Sequence, residues 1–263
     1  MYCDGLKNQC ESKTKKWSEE LNTEWVIRNY LAIKMILSSS VMLRSLEYAI
    51  EKKLRIVEPF LLYNALLQTC RSLILTLPKQ KWDSGKMILL DDKEVINIAV
   101  DTVSMVNADE GNKIKRLLIK AKGYREFFSY IFPAKGIESL DTDFVVTLEE
   151  IIPVCSLLCE IAQLNSEILS ASIETNLEDE FGLMDDMLVK SIQYESENYS
   201  FIDEEDYYRI SYIYKKSHRP FNLLWTMTLG KVEDFFSVWY PEFEKNSSYI
   251  PDEAWQIIFP VPY

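Results

Sequence analysis

One apolar segment constrains the fold of this chain more than any other feature. Residues 58–78 read EPFLLYNALLQTCRSLILTLP and are apolar for almost their whole length. Pro59 suits the first turn of a helix, because its missing N–H would have no intrahelical partner there, and Pro78 marks the end of that helix. A helix that is apolar on nearly all sides either spans a membrane or lies at the centre of a helical bundle.

Three polar residues in this segment favour the bundle. Asn64, Gln68 and Arg71 recur at spacings of four and three, so they share one face of the helix. An arginine near the middle of a membrane span would cost about 2.5–3.5 kcal/mol. We therefore expect a buried central helix and no membrane partner. The polar face is either structural, as a buried polar network or the wet edge of the bundle, or functional, as a polar pocket or a dimer seam.

The remainder of the 263 residues also favours helices. The chain has only 7 glycines, whereas sheet-rich folds and their tight turns consume glycine. Thr147 with Glu150 has the spacing of a capping box. Apolar residues recur at helical spacing in several stretches: 17–53 (one long helix or a hairpin), 92–106, 112–133 (with a break at Gly123), 147–176, 178–191 and 220–243.

One segment reads as a strand instead. Residues 206–216, DYYRISYIYKK, alternate and are rich in tyrosine and isoleucine. The predicted fold is therefore mostly α, a helical bundle with a short β hairpin near residues 200–216. Residues 1–16 are predicted to be a polar N-terminal tail, followed by a single helical domain over residues 17–263.

Negative charge is concentrated in one segment, which we predict to be the region that contacts a partner. Twelve acids and one base, Lys190, lie between Glu174 and Asp206, so this segment carries −11 of the net −12. A concentrated field of this kind attracts a protein with a basic surface. The predicted partner-binding residues are Asp203, Glu204, Glu205 and Asp206. Alternatively, these carboxylates cover a basic helix within the same molecule.

Two basic stretches are candidates for nucleic-acid or phosphate contact, although nucleic acid is the less favoured partner. The second stretch, residues 209–219, has lysines and arginines interleaved with tyrosines, and it follows the acidic segment directly. The first has no acid among its residues 113–125, and its basic members are Lys113, Lys115, Arg116, Lys120, Lys122 and Arg125.

The sequence offers little catalytic chemistry. His218 is the single histidine, and there is no glycine-rich phosphate loop. The five cysteines are odd in number and lie mostly in apolar runs, so we expect reduced thiols in a cytoplasmic protein. Cys155 and Cys159 share a helix face but lack further ligands, and we expect neither a metal nor a cofactor.

Three segments resemble the HEPN superfamily, in its large YaaC-like branch. PFLLYNALLQTCRSLIL (59–75) is similar to the central helix of that branch, and RSLEYAIEKKLRIVE (44–58) to the helix that leads into it. LLWTMTLGKVEDFFSVWYPEF (223–243) resembles its late helix, with Trp-Tyr-Pro at 239–241. The resemblance implies a helical bundle, often a dimer, in bacterial antiphage or toxin–antitoxin systems.

Active members of that superfamily are ribonucleases with an arginine four to six residues before a histidine. His218 would need an arginine at 211–213, where Ser211, Tyr212 and Ile213 stand. We therefore expect a non-catalytic protein that acts through protein contacts, with a homodimer among its possible assemblies. Two alternatives remain open. One is a divergent ribonuclease that uses His218 with Arg219 or Arg209, and the other is an acidic inhibitor that mimics nucleic acid.

Overall fold

The computed structural model describes residues 2–228, 231–236 and 254–259. This part of the chain is mostly α-helical and includes one two-stranded antiparallel sheet, as the sequence predicts. The elements are α1 (Tyr2–Thr14), α2 (Glu19–Glu51), α3 (Glu58–Leu75), α4 (Asp92–Val106), α5 (Ala108–Tyr130), α6 (Leu148–Asn176), α7 (Asp185–Ile192), β1 (Gln193–Ser196), β2 (Tyr199–Ile202), α8 (Glu204–Lys216), α9 (Leu223–Thr226) and α10 (Lys231–Phe236). Short 3-10 helices cover Arg55–Val57, Asp83–Leu89, Gly136–Ser139 and Trp255–Ile257.

The central helix predicted from residues 58–78 is confirmed as α3. It packs against α2, α4, α5 and α6. Leu66 and Leu73 are fully buried in the main core, which also receives Trp255 from the C-terminal part of the chain. Burial over most of its circumference explains why α3 is largely apolar, and its polar face lies on the partly exposed side.

Helix α2 is continuous and supports α3 along its length. The hydroxyl of Ser18 caps its start by accepting a hydrogen bond from the backbone N–H of Leu21 at 3.2 Å. The serines at 38–40 do not interrupt the helix. Ser39 instead donates to the carbonyl of Ala65 at 3.0 Å and so joins α2 to α3 inside the core.

A fully buried arginine on α2 fixes the turn that follows α3. The guanidinium of Arg28 donates to the carbonyls of Leu75 at 2.7 Å, Leu77 at 2.6 Å and Gln80 at 3.1 Å. It also pairs with Glu24 at 2.7 Å. The last carbonyls of a helix have no intrahelical partner. Arg28 supplies that partner at the end of α3.

Two sequence predictions about local structure are wrong. Residues 1–16 are not a tail, because Tyr2–Thr14 form α1, which buries Leu6 and Cys10 and packs on α6. The break predicted at Gly123 is also absent, and α5 runs through that position. A single helical glycine costs only about 0.5–1 kcal/mol, which packing of α5 on α3 and α4 outweighs.

The predicted strand at 206–216 is a helix, α8. Asp206, Arg209, Ile210 and Ile213 are buried, which is one stripe at helical spacing. The hairpin lies just before it, at residues 193–202. The predicted last helix, 220–243, is represented by α9 and α10. Residues 237–253, which include Trp-Tyr-Pro at 239–241, lie outside the described residues.

Helices α2 and α6 are each long and apolar enough to cross a membrane by length and composition. In the apolar window of α2, 72% of the residues are buried inside the protein, and the share for α6 is 44%. Core helices of soluble proteins pass the same test, so these windows are weak indicators of a membrane span.

Candidate functional site

Most carboxylates of the acidic segment point into solvent. All of the acids between Glu174 and Asp206 are exposed except Asp203, which is partly exposed, and Asp206, which is buried. The four predicted partner-binding residues are therefore not equivalent. Glu204 and Glu205 are exposed, whereas Asp203 and Asp206 serve contacts inside the molecule.

Asp203 and Asp206 fasten the start of α8 to α2. One carboxylate oxygen of Asp206 accepts the hydroxyl of Tyr30 at 2.5 Å, and the other accepts Lys34 at 2.5 Å. Asp203 accepts Lys34 at 3.2 Å and also caps α8 by accepting the backbone N–H of Asp206 at 3.1 Å. Burial and then the Asp206 carboxylate raise the pKa of Tyr30, which keeps its hydroxyl a donor.

The β hairpin precedes this anchor and has two chemically different faces. Tyr194 pairs with Phe201, Ser196 pairs with Tyr199, and two residues join the strands. Directly paired residues in an antiparallel sheet point to the same side. One face of the hairpin therefore carries Tyr194, Tyr199 and Phe201. The other carries polar residues and Ile202.

The aromatic face of the hairpin has no cover in the described structure. Tyr194 is 56% exposed, Tyr199 is 76% exposed and Phe201 is 62% exposed. A hairpin with one apolar face normally lays that face on the core. This hairpin instead presents it to solvent. We call Tyr194, Tyr199 and Phe201 the hairpin patch.

Acidic side chains surround the hairpin patch in the sequence and are exposed. Glu197 lies in the turn, and Glu204 and Glu205 follow β2 in the first turn of α8, whereas Glu195 is on the opposite, polar face of the hairpin. Tyr208 is 63% exposed and stacks on Tyr212, with ring centroids 6.2 Å apart. The surface is therefore aromatic with an acidic border. Because the sequence pattern predicts a strand at 206–216, this surface is missed from the sequence. The signal that could have located it is the alternation of aromatic and polar residues in QYESENYSFI (193–202).

The polar face of α3 contacts different parts of the protein. Asn64 donates to the carbonyl of Phe60 at 2.8 Å, and Arg71 donates to the carbonyl of Leu90 at 3.0 Å and lies 3.8 Å from Asp92. The side-chain oxygen of Gln68 is buried without a hydrogen-bond partner among the described atoms. These contacts agree with the wet-edge interpretation. The cavity beside Arg71 is only about 20 Å³.

The basic residues of α5 do not meet the acidic segment in the ion pairs that the structure shows. Lys113 pairs with Glu110 at 2.6 Å, and Lys120 pairs with Glu150 at 3.1 Å. Lys122 and Arg125 lie 3.9 Å and 3.7 Å from Glu126, and Arg125 also stacks over the ring of Tyr63. Lys115 and Arg116 are exposed.

The alternative catalytic residues are occupied in structural contacts. His218 is half exposed, lies 3.9 Å from Glu180 and packs edge-on against Tyr214. Arg219 donates to the carbonyls of Glu178 at 3.0 Å and Asp179 at 3.3 Å. Arg209 is buried and lies 3.5 Å from Glu205. Both arginines therefore contact oxygen atoms of the protein itself.

The thiols also lack the setting of a reactive or metal-binding site. Cys70, Cys155 and Cys159 are fully buried, and burial raises the pKa of Cys155 to about 12. No group of three His, Cys, Asp or Glu residues in the described parts of the chain is placed to hold a metal ion.

Comparison with known proteins adds no relative, since no protein-family model, curated protein or solved structure matches this chain.

Proposed function

We propose that this chain is a non-catalytic protein-interaction module, and that its hairpin patch is the contact surface for a partner with a basic rim. The single observation that carries this proposal is the exposure of Tyr194, Tyr199 and Phe201 on one face of the hairpin. The HEPN resemblance would place such a module in an antiphage or toxin–antitoxin system, a step that rests on analogy alone.

The composition of the hairpin patch suits an interface. Aromatic side chains supply large apolar area and are enriched among residues that dominate binding energy. Leaving three of them in water has no benefit for folding, because burial of such rings is what stabilises a core. A partner with an apolar cleft would gain that burial.

The charged border supports a basic partner. Glu197, Glu204 and Glu205 are all exposed and lie next to the patch along the chain. An acidic border attracts a partner with basic residues around its cleft, and it raises the association rate more than the final affinity. Binding should therefore weaken as salt shortens the ~8–10 Å screening length.

Both ends of the hairpin are joined directly to helices. An isolated two-stranded hairpin is marginally stable. Here α7 precedes the hairpin without a linker, and α8 follows it after the single residue Asp203. The backbone N–H of Asp203 donates to Ile192 at 3.3 Å, while its side chain is fastened to Lys34. The hairpin is therefore attached to helices at both of its ends.

Site-specific crosslinking tests this function. A photoreactive phenylalanine at position 201 should crosslink to one defined protein in cells that express the chain naturally. The same group at Met105, which is 62% exposed on α4, is the matched control and should not capture that protein. The proposal fails if position 201 captures nothing above the control.

The acidic inhibitor alternative makes a different prediction for the identified partner. A mimic of nucleic acid would bind through its carboxylates and would not need the aromatic face. Tyr199→Ser with Phe201→Ser should then bind normally, while Glu204→Lys with Glu205→Lys should lose binding. Our proposal expects the serine variant to bind at least about tenfold more weakly, as loss of central aromatic contacts does.

A further inference from the structure

The outer face of α5 is the chemical complement of the hairpin patch. Ile119 is 58% exposed. Lys115, Arg116 and Lys122 lie four and three residues before it and three residues after it, so they surround it on the helix surface. We call Ile119 with Lys115, Arg116 and Lys122 the basic face. It has an apolar centre and a basic border.

The charges of the basic face are available to a second molecule. Lys115 and Arg116 are exposed and make no ion pair or hydrogen bond with any residue that the structure describes. Lys122 lies at the edge of a surface contact, 3.9 Å from Glu126. Exposed ion pairs of this kind are weak, so an incoming carboxylate can replace this contact.

We propose that the hairpin patch of one copy binds the basic face of a second copy of this chain. The inference rests on the proposed function of the hairpin patch and names a second copy as its partner. The aromatic centre of the hairpin patch would cover Ile119, and its acidic border, with Glu204 and Glu205, would meet Lys115 and Arg116. The four described ion pairs of α5 lead to carboxylates on α5 and α6, so the hairpin does not satisfy this face within one molecule.

This contact joins two different surfaces, and a pair that makes it once leaves one hairpin patch and one basic face free. Two copies can close by making the contact twice about a two-fold axis, or assembly continues into a larger ring or an open chain. In each case the mean mass should rise with protein concentration.

The net charge of −12 opposes self-association at long range, but most of it lies in the acidic segment. At physiological ionic strength, charges farther apart than about 8 Å are largely screened. Opposite charges at the contact are closer than this and determine the result. The association should weaken when salt is raised well above that level.

Two complementary variants give a decisive test. The hairpin variant is Tyr199→Ser with Phe201→Ser, and the face variant is Lys115→Glu with Arg116→Glu. Both change exposed side chains only, so their circular dichroism and melting should match the unmodified chain. In sedimentation velocity at about 100 µM, where contacts of micromolar affinity are populated, each variant alone should be monomeric.

Mixing the two variants should restore one contact. The hairpin variant keeps an intact basic face and the face variant keeps an intact hairpin patch, so the mixture should form a one-to-one dimer and stop there. The unmodified chain should also associate at the same concentration, as a dimer that makes the contact twice or as a larger assembly. A contact between identical surfaces would not produce this complementation.

Three results would overturn the inference: a monomeric unmodified chain, self-association that persists in both variants, or a mixture that stays monomeric. The first of these leaves the proposed function standing if position 201 crosslinks to another protein. If position 201 crosslinks to nothing and the chain is also monomeric, both the self-association and the proposed function are wrong. Persistent association in both variants would place the contact elsewhere, for example at Tyr130 and Phe132, which are 82% and 63% exposed.

Discussion

At the scale of single residues, Arg28 shows how a charge can be essential in a core. Its side chain is completely buried, and desolvation lowers its pKa in spite of Glu24. Such a charge is stable only when its donors are satisfied. The guanidinium binds three carbonyls of the turn after α3, and this turn borders concave surfaces on both of its sides.

Replacing Arg28 should therefore be severe. Arg28→Met leaves Glu24 and three carbonyls without their donor, and breaking a buried pair in this way costs about 3–5 kcal/mol. Arg44→Met is the control, because the Arg44–Glu47 pair is exposed and should contribute at most about 1 kcal/mol. Urea unfolding followed by circular dichroism measures both. Equal losses would mean that Arg28 does not stabilise the turn.

Asp203 links pH to stability. Burial alone would raise the pKa of its carboxyl, but the N–H of Asp206 and the ammonium of Lys34 together lower it below 3.8. A lowered pKa in the folded state contributes stability above about pH 4, and this stability is lost as pH falls through the folded value. The free energy of unfolding should therefore decrease on acidification between about pH 5 and pH 2.

Asp203→Asn isolates this effect, because asparagine also caps helices well. The variant should lose less stability on acidification than the unmodified chain, and Lys34→Met should show the same reduced slope. Urea unfolding over that pH range provides the comparison. A slope unchanged in both variants would mean that the Asp203–Lys34 contact is not formed in solution.

At the scale of elements, the long apolar helices are easier to predict from the sequence than the elements between residues 178 and 216. Apolar periodicity places α2, α3, α4 and α6, and the carboxylate of Glu150 accepts the N–H of Thr147 at 2.9 Å, as the spacing predicts. The apolar residues of DYYRISYIYKK (206–216) fit both the alternation of a strand and the three-to-four-residue spacing of a helix. Packing against α2, α7 and α10 decides that Asp206, Arg209 and Ile213 form the buried stripe of a helix.

The same limit applies to the candidate site. Sequence reasoning located the acidic segment but treated DEED (203–206) as one unit. Within it, Asp203 and Asp206 turn inward to Tyr30 and Lys34, residues about 170 positions earlier in the chain. The sequence shows where negative charge is concentrated. Contacts with residues far away in the chain decide which of these carboxylates are exposed at the surface.

The central position of α3 predicts a large difference between two charge insertions. Leu66→Asp buries an unpaired carboxylate in the core and should cost more than about 3 kcal/mol. Ile119→Asp places the same side chain on the exposed face of α5 and should change stability by about 0.5 kcal/mol or less. Thermal melting distinguishes them. Similar melting temperatures would show that α3 is peripheral.

At the scale of the whole molecule, no described arrangement supports hydrolysis of RNA. His218 contacts Glu180 and Tyr214, and Arg219 holds backbone carbonyls rather than an open site. We expect purified protein to leave both structured and unstructured RNA intact in a gel assay. Cleavage that disappears in His218→Ala would support the ribonuclease alternative instead.

Two of the regions where the described part of the molecule exposes apolar side chains can be compared directly. The hairpin patch has an acidic border. The second region follows α5 and holds Tyr130, Ile131 and Phe132, where Phe132 has a left-handed φ of 49°. That conformation is unusual for a residue other than glycine and keeps an exposed ring at the helix end. The two regions give matched variants of nearly identical chemistry.

The most direct test of the central claim compares these two regions against the partner identified by crosslinking at position 201. Isothermal titration with the purified partner measures the affinity. If the partner is a second copy, the titrant is the hairpin variant, which keeps its basic face intact. Tyr199→Ser with Phe201→Ser should weaken binding at least about tenfold, and Tyr130→Ser with Phe132→Ser should leave it unchanged. Loss of binding in the second variant but not in the first would contradict the assignment of the hairpin as the contact surface.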